Sequence, residues 1–280
     1  YNSLSDKDQG ALGEGWNHTY EISLKEIPKK AAVVITMGDG REVSYVRSLE
    51  GAYRPASGDA GELIAVENGF SYRDRSGLVC AFDRKGRLVH MSAGAGAGNH
   101  FLYDGKGRLL RAENETGWLQ YVYNGENRLI HVCDHTGRKV DLKYQYGKLR
   151  WYTDAAGVCY EYDYNENGKL NRVCKPEEGV ALKNEYDGAN RVLRQTMPDG
   201  SVAELRYDDK NNRTWLKEEN GNLMMFESDE RHRNIRTVCE AGEELYAYND
   251  NNQLTLYTDR NGNTTRYCYD DRGNMTKRTD

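Results

Sequence analysis

Along most of this chain, apolar residues fall at every second position in short runs. Phe101 precedes Tyr103 by two, Tyr121 precedes Tyr123, Leu142 precedes Tyr144, Tyr162 precedes Tyr164, Leu205 precedes Tyr207, Tyr246 precedes Tyr248 and Tyr267 precedes Tyr269. A period of two places both members on one face of a β-strand. The residues between them, such as Glu161, Arg206 and Arg266, are mostly polar and point the other way. After each Tyr, an Asp or Asn followed three residues later by Gly or Asn predicts a turn, because Asx side chains bond their own backbone and Gly or Asn accepts a left-handed conformation. A second strand follows, as in Arg108–Ala112 or Gln253–Tyr257, and a second turn such as Asp134–Gly137 or Asp259–Gly262 returns the chain to the next Tyr-x-Tyr strand.

The unit recurs. Its copies are marked by Phe82, Asp83, Gly86 and Arg87; by Tyr103, Asp104, Gly107 and Arg108; by Tyr123 and Arg128; by Tyr144; by Tyr164 and Gly168; by Tyr186, Asp187 and Arg191; by Tyr207 and Asp208; by Tyr248; and by Tyr269, Asp270 and Gly273. Successive leading aromatics are 21, 20, 21, 20, 22, 21, 41 and 21 residues apart. The long step hides a worn copy at Ser228-Asp229, with Phe226 two residues before it. A fixed period of this length signals a repeat architecture. About ten units of strand, turn, strand, turn give about 20 strands, a ribbon near 95 Å wide if flat, so the expected fold is all-β: tandem hairpins in a long, curled antiparallel sheet with a tyrosine-lined face.

Residues 1–75 lack the repeat and read as an N-terminal β entry and cap for the array at 76–280, since a bare terminal strand would be free to pair with other chains. Within this region Gly10–Tyr20 reads as a turn-rich lead into a strand. Ala32–Thr36 and Arg41–Val46 read as a hairpin turned by Asp39-Gly40. A second hairpin, Gly69–Tyr72 with Gly77–Phe82, leads into the first repeat.

Composition sharpens this picture. The chain has 21 Tyr against 4 Phe, and 29 Gly against 4 Pro, which suits many tight turns and an apolar face that can also hydrogen-bond. A net charge of -5 with no basic tract argues against nucleic acid as a partner. The longest apolar run, Ala31–Ile35, is too short to span a bilayer. Of the six cysteines, Cys133 and Cys174 occupy equivalent positions two repeats apart, roughly 20 Å on the strand spacing, so that pair cannot bridge, and all six are expected to be free, packed thiols. The chain opens at Tyr1 without Met and stops at Asp280 inside a repeat, which reads as a segment cut from a longer polypeptide.

Patterns that invite a chemical reading have simpler explanations. The Ala93–Gly98 run lacks the Gly-Lys-Ser/Thr of a phosphate loop and lies at an inter-repeat turn. Asp259–Asn263 resembles the start of a calcium loop but lacks its closing Glu and recurs as the ordinary repeat turn. The histidines at 18, 90, 100, 131, 135 and 232 show no metal-ligand spacing. The carboxylates fall mostly at turns, where solvated Asp is expected, rather than as a glycosidase pair. The sequons at Asn17 and Asn263 complete this set. No catalytic, cofactor or metal-binding residue is predicted.

The tandem Tyr-Asp-x-x-Gly-Arg-Leu units, joined by Thr/Asp-x-x-Gly linkers over roughly residues 76–280, resemble the YD repeats of the Rhs family. Tyr1-Asn2-Ser3 and Gly13–Trp16 are similar to the segment that precedes those repeats in bacterial Rhs proteins. The resemblance implies a hollow β shell that encloses a C-terminal toxin, used in secreted or contact-delivered competition between bacteria, possessing no enzymatic role in this segment, no cofactor and no membrane span. Animal teneurins share the shell, but their preceding modules are absent here. The implied partners are the rest of the parent chain and its toxin; the shell-closing and self-cleaving segments of the family have no counterpart among these residues. The rival reading is a carbohydrate-binding repeat module at the cell surface, with Trp118, Trp151 and Trp215 stacking on sugar rings. Where the aromatics point separates the two.

Overall fold

A computed structural model describes residues 1–4, 10–56, 61–94, 98–175, 179–270 and 273–280. Ala95, Gly96 and Ala97 of the Gly-rich run therefore lie outside the described residues. The described chain is strand and turn, with one short 3-10 turn at Pro28–Lys30 and no α-helix. It divides into two compact units: Tyr1–Arg54 with Gly61–Lys183, and a second built on Asn184–Asp280.

In the first unit, β1 (Ser23–Ile27), β2 (Ala32–Thr36), β3 (Glu42–Arg47) and β4 (Tyr53–Pro55) form a four-stranded sheet in chain order. The Ala32–Thr36 and Glu42–Val46 pairing is the predicted hairpin, and Gly40 turns it at φ +84°. Val33, Ile35, Val43 and Tyr45 alternate inward and are buried. They meet the start of a second sheet, where Tyr45 packs edge-on against Tyr72 at 6.2 Å and Tyr53 against Phe70 at 5.8 Å. That sheet is a meander of sequential antiparallel strands beginning at Glu62–Val66 and Gly69–Arg73 and continuing through Gly179–Tyr186. Gly69 is required there: its φ is +143°, and a Cβ would lie 2.0 Å from the Phe82 carbonyl oxygen.

The second unit is a meander of the same kind, from Val192–Thr196 and Val202–Asp208 to Thr264–Tyr269 and Met275–Thr279. The worn copy is a working turn, with His232 at φ +58° where other repeats carry Gly or Asn. In both units the register slips by one residue at most places where the Tyr strand meets its partner, for example between Leu109 and Arg111 and between Ala247 and Tyr248, whereas the Tyr207 strand pairs in unbroken register. Each slip is a β-bulge, which takes one residue out of the ladder and increases local twist.

All six cysteines are free. Cys80 is buried, and burial first, then Asp74, pushes its thiol up to about 12. The expectation of uniformly packed thiols fails at Cys268, which is exposed because it sits between Tyr267 and Tyr269 and so points away from their face.

Candidate functional site

The Tyr-Asp-x-x-Gly-Arg-Leu motif is a closed set of local interactions. In the copy at 103, Asp104 Oδ1 accepts the amides of Lys106 and Arg108, and Oδ2 accepts Arg108 Nε at 2.7 Å. Gly107 takes φ +82°, the left-handed position that closes the turn. The Asp104 carboxyl is held below its ordinary value, chiefly by the Arg108 amide and then, against desolvation, by the guanidinium. Arg108 then lies over the ring of Tyr123, the next repeat's leading residue, at 4.9 Å. The same relay links Asp83 and Arg87 to Tyr103, with Gly86 in the turn; Asp187 and Arg191 to Tyr207; and Asp229 and Arg233 to Tyr248.

The tyrosine hydroxyls form a ladder. Tyr103 donates to the carbonyl of Leu88, Tyr123 to Leu109, Tyr144 to Leu129, Tyr164 to Leu149, Tyr207 to Val192, Tyr248 to Asn234 and Tyr269 to Leu254, at 2.6 to 3.0 Å. Leu88, Leu109, Leu129, Leu149, Asn234 and Leu254 stand at the bulges, and each hydroxyl satisfies a carbonyl of the preceding repeat. Phe could not do this, which explains the excess of Tyr; burial also pushes the Tyr103 phenol up to about 12. Among the remaining signature residues, buried Phe82 fills the Tyr place without a hydroxyl. Tyr186 accepts from Asn184 at 3.5 Å. Asp208 holds Asn211 in a longer turn that places Asn212 at φ +51°. Asp270 holds the amide and side chain of Asn274 beside Gly273 at φ +87°.

In the first unit this tyrosine face is covered by the N-terminal segment, here called the strap. Tyr20 packs on Phe101 at 5.1 Å, His18 stacks on Tyr121 at 5.5 Å, and Trp16 sits between Tyr162 at 4.7 Å and Tyr1 at 5.3 Å. Trp16 Nε1 donates to the Tyr164 hydroxyl at 2.9 Å. The Leu129 amide donates to the Ala11 carbonyl, the Leu170 amide to the Tyr1 hydroxyl, and Arg128 to the Gly10 carbonyl. Glu14 bridges Lys148 at 2.7 Å and Lys169 at 3.0 Å. Desolvation raises the Glu14 carboxyl, but the hydrogen bonds from the two lysines outweigh it and leave it below its ordinary value. Gly15, at φ +76°, has no room for a Cβ, which would come within 2.5 Å of the Tyr1 ring. His18 is desolvated by its surroundings to about 4 and accepts the Tyr20 amide on Nδ1, so it docks as a neutral imidazole.

The three tryptophans of the carbohydrate reading lie on the opposite face, shown by their pairing with Glu113, Glu161 and Arg206. Each is half-buried, with a guanidinium over its ring: Arg111 on Trp118 at 4.7 Å, Arg150 on Trp151 at 5.5 Å and Arg206 on Trp215 at 5.2 Å. Among the described residues no group of three His, Cys, Asp or Glu is placed to hold a metal ion. Among the described residues no helix is long and apolar enough to cross a membrane, which says nothing of a β-barrel.

The repeated turn and hydroxyl ladder thus define an all-β array of YD hairpins. Residues 1–45 match a domain of unknown function (DUF6531), and residues 248–280 match the RHS Repeat. A probable deoxyribonuclease, RhsB of Dickeya dadantii (strain 3937), is 25% identical over 199 residues, covering 70% of this chain and 13% of that protein. The chain therefore spans a small part of the relative's length. These matches, together with the repeat itself, support an Rhs/YD-repeat protein. Among solved structures, the TcdB2-TccC3 crystal structure aligns with TM-score 0.46 and 14% identity over 89% of this chain and 16% of that one. The Photorhabdus luminescens Tc holotoxin pore aligns with TM-score 0.41 and 13% identity over 91% and 19%.

The strap's contacts were not legible as a site from spacing alone. A signal did exist in the repeats beneath it: Asn124, Gln145 and Asn165 stand where other copies carry Asp, while Arg128, Lys148 and Lys169 keep the cation.

Proposed function

We propose that this chain is a non-enzymatic segment of the β shell of a longer Rhs protein, with residues 1–75 covering the start of the repeat array at 76–280. Its tyrosine face bounds the space in which the parent's C-terminal toxin is held during delivery from a bacterium. The observation that supports this most is the hydroxyl ladder. It ties seven of the repeats to the one before through a part-buried polar bond, which keeps one face of a long sheet ordered and compatible with water. The deoxyribonuclease activity in the relative's name is that protein's, and no residue described here is arranged to supply it.

Co-expression with the rest of the parent chain tests the reading. Co-purification of this segment with the remaining chain, and protection of the toxin from protease in that complex, is the expected result. A toxin equally accessible with and without this segment would overturn it.

A further inference from the structure

The turn chemistry varies along the chain in a way that matches the strap. In copies with Asp after the aromatic, the cation four residues later is paired within its own turn: Asp83 with Arg87, Asp104 with Arg108, Asp187 with Arg191 and Asp229 with Arg233, at 2.7 to 2.8 Å from Nε to Oδ2. In the three consecutive copies under residues 10–18 of the strap, the acid is replaced by Asn124, Gln145 or Asn165, and a cation is retained; at Gln145 the turn is a shorter one through Tyr146-Gly147, and Lys148 follows three residues on. Asn124 and Asn165 still accept the amides of Arg128 and Lys169, so the turn keeps its backbone bond and gives up only the negative charge. At Asn249, away from the strap, both charges are gone, because Gln253 stands at the cation position. Loss of the acid alone therefore coincides with the presence of an outside acceptor. Lys148 and Lys169 both direct their ammonium groups to Glu14, and Lys148 also bonds the Gly168 carbonyl.

The strap is held the way a ligand is held. Its rings fill sockets on successive repeats, its Glu14 carboxylate bridges two lysines, and its Gly13 and Gly15 take φ +91° and +76° to follow the surface. We propose that the surface formed by Lys148, Lys169, Tyr162 and Tyr164 is a peptide-binding seat in its own right, specific for a turn-forming Gly-x-x-Gly-Glu-Gly-Trp segment, which the chain supplies from its own N-terminus and which can be supplied in trans. The seat is addressed by the released lysines, so Glu14 and Trp16 dock on these copies and not on the otherwise similar copies at 103, 186 or 228, whose cations are already paired. The inference does not depend on the shell reading, since it concerns recognition of the strap whatever the array encloses.

The test uses the full chain. Glu14→Arg places a cation against Lys148 and Lys169 and should release the strap, seen as faster hydrogen exchange in residues 10–20. A fluorescein-labelled synthetic peptide of residues 10–20 should then bind the E14R chain saturably, at one per chain and about tenfold or more tighter than it binds the wild-type chain, whose seat is filled. Combining Lys148→Glu and Lys169→Glu should abolish capture of that peptide and restore capture of a peptide carrying Lys in place of Glu14, which separates recognition from misfolding. If the E14R chain exposes its strap yet captures no peptide, or if the charge-reversed pair fails to switch peptide preference, the proposal is wrong. Unchanged exchange in residues 10–20 of E14R would equally overturn it, because Glu14 would then not be what seats the strap.

Discussion

The two units carry one motif on two differently finished faces. In the first, the row Phe101, Tyr121, Leu142 and Tyr162 and the bulge residues Leu109, Leu129, Leu149 and Leu170 are all buried. In the second, the equivalent Leu205, Tyr246, Tyr267, Val192 and Leu254 are only half-buried. Every hydrophobic side chain of the core among the described residues lies between Leu12 and Leu170. The hydroxyl ladder and the Asp–Arg turns are the same in both, so local repeat chemistry does not make a dry core. The strap does. A hairpin array buries one face only when something lies on it, which is the general limit of a one-sheet fold.

That contrast can be broken most strongly at Trp16. Trp16→Ala removes two ring contacts and the bond to Tyr164, and should cost the first unit about 3 kcal/mol, read by denaturant unfolding, while residues 192–280 keep their hydrogen-exchange protection. Acidification comes next. Undocked His18 binds a proton near 6.5 but the docked residue only near 4, so falling pH favours release of the strap across that window. At pH 5 the penalty is about 2 kcal/mol at most, reduced by whatever solvent reaches the ring. His18→Asn should remove this dependence, measured as strap exchange between pH 7 and pH 5 after correction for intrinsic rates. Glu14 acts in the same direction at lower pH: its carboxyl is depressed, so its contribution is complete above 4.5 and is lost as pH falls below that value.

Smaller effects sharpen the comparison. Tyr123→Phe strands the Leu109 carbonyl, whose residue is 6% exposed, and should cost about 1.5 kcal/mol. Tyr207→Phe strands the Val192 carbonyl on the open face, where water can replace the hydroxyl, and should cost under about 0.5 kcal/mol by the same measurement. Equal costs would mean that the two faces are equally dry. Glu14→Gln should weaken strap docking by about 1 kcal/mol and make it insensitive to salt, because the bridged lysines lose their charge partner.

Much of the fold is legible from residues alone, because the two determinants are local. Period-two alternation sets the face, and Asp/Asn with Gly/Asn three residues later sets the turn, so even the copy led by Ser228 could be located before its geometry was known. The hairpins at 32–46 and 69–82 follow from the same rules. The tyrosine face was also readable, and that its hydroxyls can hydrogen-bond, but not which groups they reach: the bulge that frees a carbonyl depends on register between strands, which no single strand encodes. The strap was less readable still. Trp16 meets Tyr164 across 148 residues of sequence, and only the missing acids at Asn124, Gln145 and Asn165 hinted that their cations were promised elsewhere.

The most direct test of the central claim is hydroxyl-radical footprinting of the full chain at neutral pH, comparing equivalent residues on the two faces. The account predicts that Tyr121 and Tyr162 are protected while Tyr246 and Tyr267 are labelled, and that Trp16→Ala raises labelling at Tyr162 alone among the four. Equal labelling of all four in the unaltered chain would contradict it.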